Sequence, residues 1–386
     1  MDISLTTADR MDAADEKLVV EACNVEGQPL SGRSIHEIVG SYGDGRQLLQ
    51  TILDNGEDFQ SKFIADHEEY IKASTGTVRV CHNLHDKDTS MRGQDELNLF
   101  IPGLGGSLDQ FEPLLKLCSL LHKPFFCMDS PGFGKSDPLP SPTMSAVVDL
   151  IHEVLAKILK NLGVPSDQGN KLNVVGHSMG CYLALHFYVK YNELYSVKNI
   201  VLLGPPQPEM SILSKSNITV QFALKFLHRF PMIFDFYRNW FDQSKGLQSS
   251  GITQFFFSGN DNDSTDEVRR YRKLRQFYNN VQIKSDSTVA YLLGWESLDW
   301  ERISHTMTSA AANAPHILIV SGEEDPVAPM AKVELVLKAF PNVDTTVKEL
   351  VKIPSCSHNM FGDRPEQICR IFLNKLFRQD GPEIRN

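Results

Sequence analysis

The chain has 386 residues, of which 41% are hydrophobic and 22% charged, and its net charge is −10. That composition excludes a disordered chain, a collagen or a disulfide mini-scaffold, and the acidic balance speaks against binding nucleic acid through phosphate neutralisation. Seven scattered cysteines, odd in number and without CxxC or Cys/His metal spacing, predict neither a disulfide framework nor a metal site.

In chain order, the first twenty residues carry Asp2, Asp9, Asp12, Asp15 and Glu16 and no apolar h-region, so no signal peptide or presequence is expected. Residues 1–30 are polar and without a sustained period, which predicts a frayed segment. From Arg46 to Ile71 the apolar positions Leu48, Leu49, Ile52, Leu53, Phe59, Phe63, Ile64, Tyr70 and Ile71 follow helical spacing, broken by Gly56. Residues 1–75 are therefore expected to be a helical N-terminal extension.

From residue 77 short apolar strands alternate with helical stretches. The strands are expected at 77–83, 97–101, 125–129, 172–175, 197–203, 317–321 and 347–353. The helices are expected at 110–121, 143–162, 179–190, 328–340 and 365–377. Almost wholly apolar strands separated by helices predict an α/β fold, a mostly parallel sheet covered by helices on both faces. Between Gly204 and His305 the alternation stops, and this block holds ten of the 22 phenylalanines. It reads as a helical cap at 207–305 inserted into a core made of 76–206 and 306–386. No run of 18 apolar residues predicts a membrane span. The terminal Glu-Ile-Arg-Asn matches neither a prenylation box nor a peroxisomal tripeptide. A cytoplasmic, reducing location is the expectation.

Open α/β sheets bind ligands at the carboxyl ends of their strands. After 172–175 comes Gly176-His177-Ser178-Met179-Gly180, the G-x-S-x-G pattern between a strand and a helix. Its glycines leave room for a strained serine, and the helix N-terminus favours developing negative charge. A serine hydroxyl needs a base and a group that orients the base. The loop after 317–321 carries Glu323-Glu324-Asp325-Pro326, and the loop after 347–353 carries Ser357-His358-Asn359. The order Ser178, Asp325, His358 is that of one hydrolase fold. Glu323, Glu324 and Glu209 are the alternative acids, and His177 reads as a wall of the pocket or a packed side chain.

On these residues the chain resembles the α/β-hydrolase fold superfamily over roughly residues 75 to 378, the insertion aside. Pro102-Gly103-Leu104-Gly105-Gly106 resembles the family's His-Gly oxyanion loop with proline in place of histidine, and Asp129 to Ser136 resembles its D-x-x-G-x-G-x-S stretch. The resemblance implies Ser178 as nucleophile, His358 as base and Asp325 as its partner. It also implies an oxyanion hole from the backbone amides of Leu104 and Met179. Glycines in such a loop let backbone donors approach a substrate oxygen.

The expected function is a serine hydrolase of carboxylic esters or lipids with an apolar acyl chain, needing no cofactor or metal. Its partners are then a small ester or lipid substrate, no nucleic acid, and at most peripheral contact with a membrane. An acyltransferase using the same triad is the alternative, and a non-catalytic ligand-binding homologue is a third. His358 to Asp363 also fits H-x-x-x-x-D, a pattern linked with acyl transfer, although Asp363-Arg364-Pro365-Glu366 reads more simply as a helix N-cap. Gly103, His177, Phe226 and Phe256 are the expected substrate contacts. The basic run Arg269, Arg270, Arg272, Lys273 and Arg275 reads as a solvated helix face.

Overall fold

A computed structural model describes residues 11–25, 29, 31–86, 88–89, 96–164, 170–260, 267–310, 314–341 and 348–378. Among the described residues eight strands form one sheet: β1 (Glu68–Ala73), β2 (Gly76–His82), β3 (Leu97–Ile101), β4 (Phe125–Met128), β5 (Asn170–His177), β6 (Tyr195–Leu203), β7 (His316–Gly322) and β8 (Lys348–Ile353). Their order across the sheet is β1-β2-β4-β3-β5-β6-β7-β8. β1–β2 and β2–β4 pair antiparallel, and the remaining neighbours pair parallel.

Alternation along the central strands supplies both faces of the sheet with apolar side chains. Leu99, Ile101, Val174, Ile200, Leu202, Ile317 and Ile319 face the helices 144–161 and 179–191. Phe100, Val175, Val201, Leu203, Leu318 and Val320 face the helices 112–120 and 365–372. Full burial on both sides is why these strands read as continuous apolar runs. An amide ladder crosses the sheet beneath them: Asn173 donates to Asn98 at 3.0 Å and Asn199 to Asn173 at 2.7 Å.

Two expectations about the N-terminal region are corrected. Residues 13–23 form a helix, with Val19, Ala22 and Cys23 buried against the helices 112–120 and 365–372 and Glu16 paired with Arg370. Tertiary contacts override a segment with little periodicity of its own. Glu68–Ala73 is a strand, because pairing with β2 outweighs the helical spacing of Tyr70 and Ile71. The extension is therefore helical only before the sheet begins. Val347, placed in the last expected strand, lies outside the described residues.

Between β6 and β7 the chain runs through helices at 218–229, 231–238, 267–282, 285–293 and 300–309, with shorter turns between them. The extension packs on part of this insertion. Ile35, Ile38, Tyr42, Leu48, Ile52 and Phe59 share a buried cluster with Leu247, Ile252, Phe256, Tyr271, Leu274 and Phe277.

Candidate active site

β5 ends at His177, and the helix 179–191 begins at Met179, so Ser178 turns the chain between them. Its backbone sits at φ 53°, ψ −121°, a region that side-chain-bearing residues rarely occupy. Space for this turn comes from its glycines. A Cβ on Gly176 would lie 2.3 Å from the Gly180 carbonyl oxygen, and one on Gly180 would lie 2.2 Å from that of Ile101. The helix thus starts directly against the end of β3. Ser178 itself stays partly exposed.

His358 and Asp325 come from the loops after β8 and β7, and both are buried. His358 Nδ1 lies 2.7 Å from Asp325 Oδ2, and Asp325 Oδ1 accepts from the amides of Val327 and Ala328, both at 2.8 Å. Burial alone would raise the Asp325 pKa, but the His358 hydrogen bond and these amides outweigh it and hold the carboxyl below its ordinary range. An ionised carboxylate at Nδ1 keeps the proton there and leaves Nε2 as the basic nitrogen. Glu323, Glu324 and Glu209 are exposed and do not approach the histidine as Asp325 does.

His177 is buried, and its Nε2 lies 3.1 Å from the His358 carbonyl oxygen. Burial, followed by the proximity of His358, pushes its pKa down to about 3, so the ring is neutral and Nε2–H donates to that carbonyl. His177 therefore holds the histidine loop from below.

A cavity of ≈ 360 Å³ opens at this point, lined by Gly103, Leu104, His177, Ser178 and His358. Its apolar walls include Phe234, Tyr237, Phe241 and Phe255 from the insertion, with Ile283 and Val327. Phe255 stands with its ring 5.8 Å from that of His358. Gly103 approaches the serine so closely that a Cβ there would lie 3.1 Å from the Ser178 Cβ. Leu104 lines the cavity, and the Met179 amide, the first of its helix, has no intrahelical acceptor.

The two phenylalanines expected to line the pocket do not. Phe226 is on the outer surface, 46% exposed, and Phe256 is buried with the Arg269 guanidinium 5.4 Å from its ring centre. In the Phe255-Phe256-Phe257 triplet it is Phe255 that reaches the cavity. Sequence spacing identifies an aromatic helix but not which of its faces looks inward.

Asp363 is not a helix cap. Its carboxylate accepts from the amides of Ser357 at 2.8 Å and Phe257 at 3.1 Å and pairs with Arg269 at 2.6 Å. The N-cap position of the following helix is held by Arg364, whose side chain makes no capping bond. The basic run is likewise no solvated face. Arg270 donates to the Tyr42 carbonyl, Arg272 to that of Cys23, and Arg275 pairs with Glu112. Asp129 accepts from the amides of Leu108 and Lys135, both at 2.8 Å, and a Cβ on Gly134 would collide with it. Its loop is a structural knot.

Away from the cavity, Glu69, His82 and His85 bring one ligand atom each within 4.8 Å of one another. The Leu84 amide donates to His82 Nδ1, so the ring proton sits on Nε2 and faces Glu69 at 3.1 Å. That arrangement is satisfied by protein groups. Among the described residues no helix is long and apolar enough to cross a membrane.

Comparison with known proteins agrees with this architecture. The family model for the alpha/beta hydrolase fold matches residues 99–365. "Lipid droplet hydrolase 1" of Saccharomyces cerevisiae is 39% identical over 364 residues, covering 90% of this chain and 94% of that protein. "Probable lysophospholipase BODYGUARD 3" of Arabidopsis thaliana is 32% identical over 94 residues, 24% of this chain and 17% of its own length. Among solved structures, a bromoperoxidase from Bacillus anthracis superposes with a TM-score of 0.54 at 16% identity, covering 80% of this chain and 98% of that one. A thermophilic esterase from Thermogutta terrifontis gives 0.50 at 18% identity, covering 80% and 97%. With its sheet order, its strained serine turn and a matching family model over most of the core, the chain belongs to the alpha/beta hydrolase fold family.

Proposed function

We propose that the protein is a serine hydrolase that cleaves carboxylic esters carrying an apolar acyl chain, in the manner of a lipase or esterase. The observation that carries this is the convergence of the strained Ser178 turn and the buried His358–Asp325 pair on one cavity walled by aromatic side chains. Similarity to the yeast lipid droplet hydrolase supports a lipid ester as substrate.

In this mechanism Ser178 Oγ attacks the ester carbonyl while His358 Nε2 takes its proton. Asp325 holds the imidazole tautomer and stabilises the imidazolium that forms. The oxyanion is received by the amides of Leu104 and Met179, each donor contributing ~10²–10³ in rate. The alcohol leaves with the proton from His358, and water then cleaves the acyl-enzyme by the same route. Gly103 permits the close approach of the oxyanion loop, and Phe234, Tyr237, Phe241 and Phe255 receive the acyl chain. Burial of all seven cysteines as free thiols supports a cytoplasmic setting.

The test is labelling with a fluorophosphonate probe, followed by turnover of p-nitrophenyl esters of increasing chain length. Wild-type protein is expected to label and Ser178→Ala to remain unlabelled but folded. Labelling that persists in Ser178→Ala would overturn the assignment of the nucleophile, and a folded wild type that never labels would overturn the enzyme reading.

A further inference from the structure

Ten of the sixteen large apolar side chains that are exposed among the described residues lie between positions 212 and 240. A scatter of single exposed apolar groups is ordinary on a protein surface, but a concentration of this kind is not. It has a clear structural origin. On the helix 218–229, Val220, Leu224 and Leu227 pack inward on the main core, while Ile218, Phe222 and Phe226 face solvent. On the helix 231–238, Phe234 packs inward while Met232, Ile233 and Phe236 face out, with Phe236 79% exposed. Both helices are apolar on two opposite faces, and only one face of each meets protein. An apolar face left without a protein partner belongs against another apolar phase.

Two further observations say what covers the outer face. Lys215, Lys225 and Arg229 are exposed within the same segment, against the single carboxylate Asp235, in a chain whose overall charge is −10. Aromatic and aliphatic groups rimmed by cations match a headgroup layer that is apolar below and anionic above. The patch is also continuous with the cavity: Phe234 and Tyr237 line it from the same helix whose Phe236 points away, and Trp240, 60% exposed, packs beside Tyr237. A lipid chain leaving a phospholipid layer under this face would enter the cavity without crossing water.

We propose that the outer face of residues 212–240 docks the protein on an anionic phospholipid surface, with Phe222, Phe236 and Trp240 inserted among the acyl chains. The proposal deepens the lipid-ester reading above, since it names the surface from which such a substrate is drawn, but its test does not depend on catalysis.

Full-length protein is mixed with sucrose-loaded vesicles of phosphatidylcholine alone or doped with phosphatidylserine, and the bound fraction is read by sedimentation. Tryptophan emission is read in parallel. Wild type and Ser178→Ala are expected to sediment equally with the doped vesicles, with a blue shift that Trp240→Phe removes. Phe222→Ser combined with Phe236→Ser should lower the partition coefficient on the order of 100-fold, about tenfold for each ring returned to water. Turnover of a soluble p-nitrophenyl ester should be unchanged in that variant, because neither side chain lines the cavity.

Wild type that stays in the supernatant yet turns over soluble esters would overturn the docking surface alone. Vesicle binding without probe labelling would uphold the surface and overturn the enzymatic reading. Equal affinity for both vesicle compositions would overturn the anionic assignment. A wild-type dimer in light scattering that the Phe222→Ser/Phe236→Ser variant converts to monomer would overturn the proposal in favour of self-association.

Discussion

Removing the Asp363 carboxylate should damage stability and catalysis together. It is completely buried, and it ties the amide of Ser357, the residue before His358, to the amide of Phe257 and the guanidinium of Arg269 in the insertion. Asp363→Ala leaves an almost fully buried Arg269 without this countercharge and two amides without their acceptor. Breaking a buried pair from one side costs ~3–5 kcal/mol. Replacing Arg269 as well, in Asp363→Ala/Arg269→Met, should recover part of that loss, because no uncompensated charge remains. Urea denaturation of the wild type, the two single variants and the double variant gives the coupling directly. Turnover should fall ~10–100-fold through displacement of His358, with KM changed far less. A stability loss below ~1 kcal/mol for Asp363→Ala would refute the latch. So would a steep loss of turnover with no loss of stability, since that pattern belongs to a residue acting in the chemistry, as the acyl-transfer interpretation of H-x-x-x-x-D requires.

His177 is neutral in the folded protein because burial pushes its pKa down to about 3, while an unfolded histidine titrates near ~6.5. The unfolded state thus binds the extra proton first, so this group's contribution to stability is complete above pH ~6.5 and is lost as pH falls toward 3. Between pH 6.5 and 5 the wild type should lose ~2 kcal/mol through this residue, and His177→Gln should show a correspondingly shallower pH dependence in urea titrations. Phe255→Ala should shift the preferred ester chain length and raise KM, whereas Phe256→Ala should cost ~3–5 kcal/mol in stability and leave the length profile alone. Phe226→Ala, on the outer surface, should change neither, as chain-length series and thermal melts would show. Gly103→Ala should lower kcat at least tenfold with the fold preserved by circular dichroism, because the new Cβ would press on Ser178 at 3.1 Å and the His177 carbonyl at 3.2 Å.

How much of this is legible in the sequence depends on the range over which each feature is determined. The central strands announce themselves because both faces are buried, so each is a run of apolar residues. The serine turn is legible because its glycines answer to contacts within five residues and with the adjoining strand. Asp325 and His358 are found by their place after strands, a consequence of topology that motif order captures. Features decided by partners distant in sequence are not legible. Arg269 and Asp363 are 94 positions apart, and Arg272 meets the Cys23 carbonyl across 249. A basic run with helical spacing looks the same whether water or carboxylates receive it. Which aromatic of 255–257 enters the cavity, and whether 68–73 pairs as a strand, are set by neighbours that no local pattern reveals.

Those long-range contacts divide the insertion into two parts with different surroundings. Residues 246–260 and 267–282 are held from behind: the N-terminal extension packs on Leu247, Ile252, Tyr271 and Phe277, a Cβ on Gly246 would strike the Asp44 carbonyl oxygen at 2.1 Å, and Arg270 and Arg275 are bound to the extension and the core. This part carries Phe255 to the side of His358 and, through Asp363, shares a latch with the histidine loop. Residues 212–240 have protein on one face only, and they carry Phe234 and Tyr237 to the cavity. A wall that must stand beside His358 gains from burial and ion pairing, which fix its distance. If the proposed apolar acyl chain is the substrate, a wall that must admit it gains from an edge that adjoins an apolar surface. The extension thus reaches the cavity through the first part, whose Phe255 packs against the shared cluster, while under the proposed docking the second part would give access to it.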